Sequence, residues 1–112
     1  MKIYHNPRCT KSREGLAIVQ EAGADVEIVE YLKNPITAAE LADVVNKLGI
    51  PAEKLIRKAE KDFKENFKGK SLSDKEWIDA MIQYPKLIQR PILVKGDKAV
   101  LGRPPEDFKQ LL

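Results

Sequence analysis

Cys9 is the only cysteine in a chain of 112 residues. No intrachain disulfide can close, so the fold has to be held by a buried apolar core and not by a covalent framework. The composition allows this. Hydrophobic residues make up 43% and charged residues 33%, the balance of a globular chain, and the length suits one domain. No apolar run approaches the roughly 20 residues of a membrane span, and Met1 to Pro7 has no signal-peptide core. A reducing, cytoplasmic location with no membrane role is expected.

Lysine and arginine exceed the acids by only three, too few to mark a nucleic-acid binder, but the excess is local. Met1 to Arg13 holds Lys2, Arg8, Lys11 and Arg13 and no acid, while Glu53 to Lys70 holds seven basic and four acidic residues. The remainder is net acidic. In the second segment Glu60, Asp62 and Glu65 interrupt the lysines at helical spacing, which reads as a solvated helix face and not as a surface for nucleic acid.

Lys2 to His5 predicts a strand stopped by Asn6-Pro7. Leu16, Ile18, Val19 and Ala22 fall on one stripe of a helix from about Thr10 to Glu21 that closes at Gly23. Val26 to Tyr31 alternates as a second strand, which completes a β-α-β unit. Thr37, with Glu40 three residues on, opens a helix carrying Leu41, Val44, Val45 and Leu48 that ends at Gly49. A short helix is expected around Leu55, Ile56 and Ala59, and Ser73 with Glu76 opens another through Trp77, Ile78, Met81 and Ile82 to Tyr84-Pro85. Arg90 to Val94 and Ala99 to Leu101 pair across a Gly96-Asp97 turn. A last helix starts at Pro104 or Pro105, with Phe108, Leu111 and Leu112 facing the core. Periodicity thus gives one α/β (α+β) domain over residues 1–112, with a helical insertion at about 37–84. Phe63, Phe67, Trp77 and Phe108 follow the apolar stripes and read as core.

Cys9 falls where the first strand hands over to the first helix. Unpaired N–H groups and the positive end of the helix dipole favour a thiolate there, and His5, Arg8, Lys11 and Arg13 add positive character. The neighbouring sequence excludes close variants of this chemistry. Ser12 makes the motif Cys-x-x-Ser, which cannot form the internal disulfide of a Cys-x-x-Cys protein. A phosphatase-type loop needs an arginine where Gly15 stands. Any disulfide must form with another molecule, so turnover would require an outside reductant such as glutathione or a glutaredoxin-like partner. Arg57, Arg90 and Arg103 stand near element boundaries, and guanidinium groups suit tetrahedral oxyanions. Taken singly, each reads first as a solvated surface residue, and spacing alone does not bring the three together. Thr10 and Ser12 suit helix capping as well as anion binding. With one histidine and no carboxylate cluster beside it, no metal site and no bound cofactor are expected.

The runs Tyr4-His5-Asn6-Pro7-Arg8-Cys9-Thr10-Lys11-Ser12-Arg13, Tyr31-Leu32-Lys33-Asn34-Pro35, Leu55-Ile56-Arg57-Lys58, Arg90-Pro91-Ile92 and Gly102-Arg103-Pro104 cover essentially the whole chain. Their order and spacing resemble those of the glutaredoxin-dependent arsenate reductase family, in the short chromosomal branch where an arginine precedes the cysteine. The resemblance implies a thioredoxin-like fold with a mixed four-stranded sheet, the helical insertion lying between the β-α-β and β-β-α units and a cis bond before Pro91. It implies Cys9 as nucleophile, Arg57, Arg90 and Arg103 as the arsenate clamp, and His5 as the residue that lowers the Cys9 pKa. Backbone N–H groups of Thr10, Lys11, Ser12 and Arg13 would hold the anion at the helix start. The implied reaction has Cys9 attack arsenate, glutathione attack next as co-substrate, a glutaredoxin complete the reduction, and arsenite leave.

Two other functions share this plan. One is a glutathione- or glutaredoxin-linked thiol oxidoreductase without an arsenate role, against which only the arginines argue. The other is a stress regulator that binds RNA polymerase, whose relatives carry Cys-x-x-Cys where this chain has Ser12.

Overall fold

The computed structural model describes residues Met1 to Leu112, and the chain divides into two compact units. The first joins Met1–Asn34 to Arg90–Leu112, and the second is Pro35–Gln89. The inserted segment is thus a few residues wider at each end than the 37–84 stretch that the capping and stop signals mark.

In the first unit, β1 (Lys2–Tyr4), β2 (Glu27–Val29), β3 (Ile92–Lys95) and β4 (Lys98–Leu101) form one sheet in the order β2-β1-β3-β4. β1 runs parallel to β2 and antiparallel to β3, and β3 and β4 form an antiparallel hairpin. Gly96 turns that hairpin with φ of +62°, a conformation in which any Cβ would be strained. α1 (Thr10–Glu21) connects β1 to β2 and has the bounds its sequence predicts. This mixed sheet with its crossover helix is the thioredoxin-like arrangement. Ile3 and Leu93 pair across β1 and β3, and both are buried with Val19 of α1 and with Phe108 and Leu111 of the C-terminal segment.

Several local expectations change. β2 is only three residues long, and Ile28 in its middle is 44% exposed, because β2 is an edge strand. Ala22 lies on the exposed side of the end of α1 and not on its core stripe. The C-terminal segment Pro105–Leu111 winds as a 3-10 helix, with Phe108 and Leu111 inward and Leu112 exposed. The 3.0-residue turn stacks Phe108 over Leu111 and leaves Leu112 outside that row. The Arg90–Pro91 bond is cis, and Arg103–Pro104 is a second cis bond that the sequence did not announce.

The second unit is helical. α2 (Ala38–Leu48) starts at Thr37, whose hydroxyl accepts the Glu40 N–H at 3.1 Å, and it ends at Gly49 in the left-handed region. α3 (Lys61–Asn66) is a short helix in the lysine-rich stretch, and α4 (Asp74–Gln83) begins with a full capping box between Ser73 and Glu76. The helix expected around Leu55 to Ala59 is instead a 3-10 turn, Ala52–Leu55, after which Ile56 pairs with Ile88 in an antiparallel bridge. Phe63, Phe67 and Trp77 lie with ring centroids 6.0–6.5 Å apart inside this unit, in the structural role their spacing predicts. No helix is long and apolar enough to cross a membrane.

Candidate active site

After β1 the chain turns through His5-Asn6-Pro7-Arg8 to deliver Cys9 to the N-cap of α1. Pro7 and the buried Asn6 shape this turn. The Cys9 N–H donates to Asn6 O at 3.0 Å, and the Arg8 N–H donates to Asn6 Oδ1 at 3.1 Å. Cys9 keeps an extended backbone, φ −96° and ψ 124°, and its thiol is half-buried and free.

Ser12, fully buried in the first turn of α1, ties this loop together. Its Oγ accepts the Asn6 N–H at 2.9 Å and shares a 2.7 Å hydrogen bond with His5 Nδ1. His5 is itself buried, and burial lowers its pKa below 6.5 despite the opposing influence of Glu30. The imidazole is therefore neutral at neutral pH. It acts on the loop through Ser12 and brings no positive charge to Cys9, contrary to the cationic role assigned to it above.

The Cys9 pKa lies below its ordinary value. Burial is the largest single influence and raises it. The backbone N–H of Ser12, the hydrogen bonding and charge of the Arg90 guanidinium, and the backbone N–H of Lys11 act the other way and together prevail. No cap hydrogen bond of normal length closes between the Cys9 side chain and the first turn of α1, so these N–H groups act on the sulfur mainly as aligned dipoles.

The basic residues around Cys9 divide by what they touch. Arg13 donates to Pro7 O at 2.8 Å and to Thr10 Oγ1 at 3.2 Å, which fastens the loop to α1. Its backbone N–H is taken by Cys9 O at 3.0 Å, so of the four N–H groups assigned to anion binding only those of Thr10, Lys11 and Ser12 belong to the unclaimed start of the helix. The Lys11 side chain pairs with Glu14 at 3.6 Å. Arg90, just before cis Pro91, acts on the sulfur through hydrogen bonding and charge, and its buried Nε has no hydrogen-bond partner. Arg103 reaches the same segment by donating from Nε to Arg90 O at 3.1 Å. Arg57 belongs to the helical unit, where its guanidinium pairs with Glu60 at 3.0 Å. No three His, Cys, Asp or Glu side chains come together as metal ligands would.

Asn6 and the buried Ser12–His5 hydrogen bond are site features that sequence reading missed in this form. The Asn-Pro turn signal was present, but a hydrogen bond between side chains seven residues apart has no periodic signature.

The family model described as ArsC matches residues 4–111, all but the ends of the chain. The chain belongs to the ArsC family. It is 46% identical to the Escherichia coli K12 protein YfgD, described as uncharacterized, over 100% of this chain and 96% of that one. It is 37% identical to an arsenate reductase of Neisseria meningitidis, over 100% of this chain and 97% of that one. Among solved structures, an arsenate reductase from Vibrio cholerae superposes with a TM-score of 0.94 at 40% identity, covering 100% of this chain and 98% of the other. The ArsC match thus takes in every residue of the Cys9 loop, from His5 through Ser12.

Proposed function

We propose that this chain is an arsenate reductase that draws its electrons from glutathione and a glutaredoxin. The observation that carries the reading is the action of the Arg90 guanidinium on the Cys9 sulfur at the start of α1, which sets a stabilised thiolate beside an oxyanion donor. ArsC membership directs that pair toward arsenate.

In the first step the Cys9 thiolate attacks arsenic. An S–As bond forms, an As–O bond breaks, and the oxygen leaves as hydroxide and is protonated to water, with arsenic still As(V). A glutathione thiolate then attacks Cys9 Sγ. The S–S bond forms, and the S–As pair stays on arsenic, which departs as arsenite, As(III). The two sulfurs have given up two electrons between them. A glutaredoxin thiolate finally takes the glutathione from Cys9 and restores the thiolate. No second cysteine stands in the chain to do this internally. Arg90 and Arg103 hold the equatorial oxygens with the N–H groups of Thr10, Lys11 and Ser12, and the family resemblance extends the same role to Arg57. The reductants place the reaction in the cytoplasm.

The test measures arsenite formed from arsenate with glutathione and glutaredoxin present. Cys9→Ser should abolish the reaction, and Arg90→Ala, Arg103→Ala and Arg57→Ala should each lower kcat/KM by about tenfold or more. An equal rate in wild type and all three arginine variants would overturn the clamp. A wild type that forms no arsenite yet reduces glutathione mixed disulfides would be a thiol oxidoreductase instead.

A further inference from the structure

Four of the six glycines have positive φ, where a turn demands glycine; Gly15 and Gly102 do not. Their need is space. A Cβ on Gly15 would stand 2.7 Å from Phe108 Cε2 and 2.7 Å from Pro91 Cγ. One on Gly102 would stand 2.7 Å from Phe108 Cζ and 2.9 Å from Pro91 Cγ. The facing atoms belong to two rings, which cannot swing aside as the tip of a flexible chain would, and Phe108 is fully buried. The Phe108 and Pro91 rings therefore fill the gap between the backbone of α1 and the end of β4, and each part of the stack adjoins a site residue. Gly15 lies on the helix that Cys9 begins, Pro91 follows Arg90, and Gly102 precedes Arg103.

We propose that Gly15, Gly102 and Phe108 are positioning residues that set how closely the Cys9 end of α1 approaches Arg90. An α-helix is stiff over two turns, so a displacement at Gly15 is passed to Cys9. A methyl group there presses on two rings at less than contact distance and moves α1 away from the Arg90–Pro91 segment. At Gly102 the methyl presses from the opposite side, on the segment whose Arg103 Nε holds Arg90 O. Arg8, Lys11 and Arg13 share the loop and helix of Cys9, and the neutral His5 is tied to that helix through Ser12 and faces Glu30. None of these changes its distance to the sulfur, and any loss of burial would lower the pKa, so a net rise in the proton affinity of the thiol reports the loss of Arg90. The inference rests on the Cys9–Arg90 pairing used in the reading above, and not on which oxyanion the site takes.

The experiment titrates the Cys9 thiolate by its ultraviolet absorbance in wild type, Gly15→Ala, Gly102→Ala and Gly15→Ala/Phe108→Leu, with circular dichroism to verify folding and arsenite formation followed alongside. Gly15→Ala and Gly102→Ala should each raise the proton affinity of the thiol about tenfold. Phe108→Leu, by vacating the ring edge, should return the Gly15→Ala chain toward wild type. An unchanged titration in either folded glycine variant overturns the proposal, as does a double variant no nearer wild type than Gly15→Ala. If Gly15→Ala fails to fold, Gly102→Ala decides alone. A wild type inactive on arsenate whose thiol still shifts in the variants would refute the arsenate reading and leave this one standing.

Discussion

His5 and Ser12 are buried polar residues seven apart in sequence, and each would be costly to bury without the other. Their bond also sets a pH dependence. Burial holds the native imidazole below 6.5, while the unfolded chain binds a proton as pH falls through 6.5. Below 6.5 the unfolded state thus carries more protons than the native one, and stability is lost progressively until the lowered native pKa is reached. Urea midpoints of wild type should fall on acidification through this range more steeply than those of His5→Asn, which retains a side-chain partner for Ser12. Parallel midpoints in the two proteins would remove His5 from the account. Sequence could place a histidine and a serine near Cys9, but whether each is charged, buried or bonded depends on the turn at Asn6-Pro7 closing in three dimensions. Gly15 stood out in the sequence only as the position where a phosphatase-type loop needs an arginine, because the ring it makes room for, Phe108, lies 93 positions away.

At the scale of elements, signals written in adjacent residues carried through and signals that depend on distant packing did not. α1 runs from Thr10 to Glu21, α2 is capped by Thr37, α4 by Ser73 and Glu76, and the last hairpin turns at Gly96, all as local chemistry predicts. The exposure of Ile28 follows from the place of β2 at the sheet edge, and the C-terminal segment winds as a 3-10 helix to bring Phe108 between two glycines. Neither cause is visible from nearby residues. The N-cap of α2 offers a direct check. Thr37→Ala removes the acceptor for the Glu40 N–H and should destabilise the protein by about 1 kcal/mol in chemical denaturation. A loss no larger than that of an exposed substitution such as Ala39→Ser would show that Thr37 does not hold this helix.

Across the whole molecule, one family match spans nearly every residue, while the motifs that carry it divide between two compact units. The Cys9 loop and the Arg90 and Arg103 segments belong to one unit and Arg57 to the other, so the two can be probed separately by substitution. With no disulfide available, stability comes entirely from non-covalent terms, and any ligand that binds only the native form adds to it directly. The start of α1 bears on this. Its N-cap side chain closes no cap hydrogen bond and its first turn holds no acid, so the helix that presents Cys9 begins without the completing group that Thr37 and Ser73 give α2 and α4. On the proposed reading, an oxyanion received there would complete the helix as well as the site, and substrate would act as a folding ligand. At a free concentration 100 times its Kd it would stabilise the chain by about 2.7 kcal/mol, so the melting temperature should climb with the logarithm of arsenate or sulfate concentration. A melting temperature indifferent to both ions, at constant ionic strength, would mean that neither ion completes that helix.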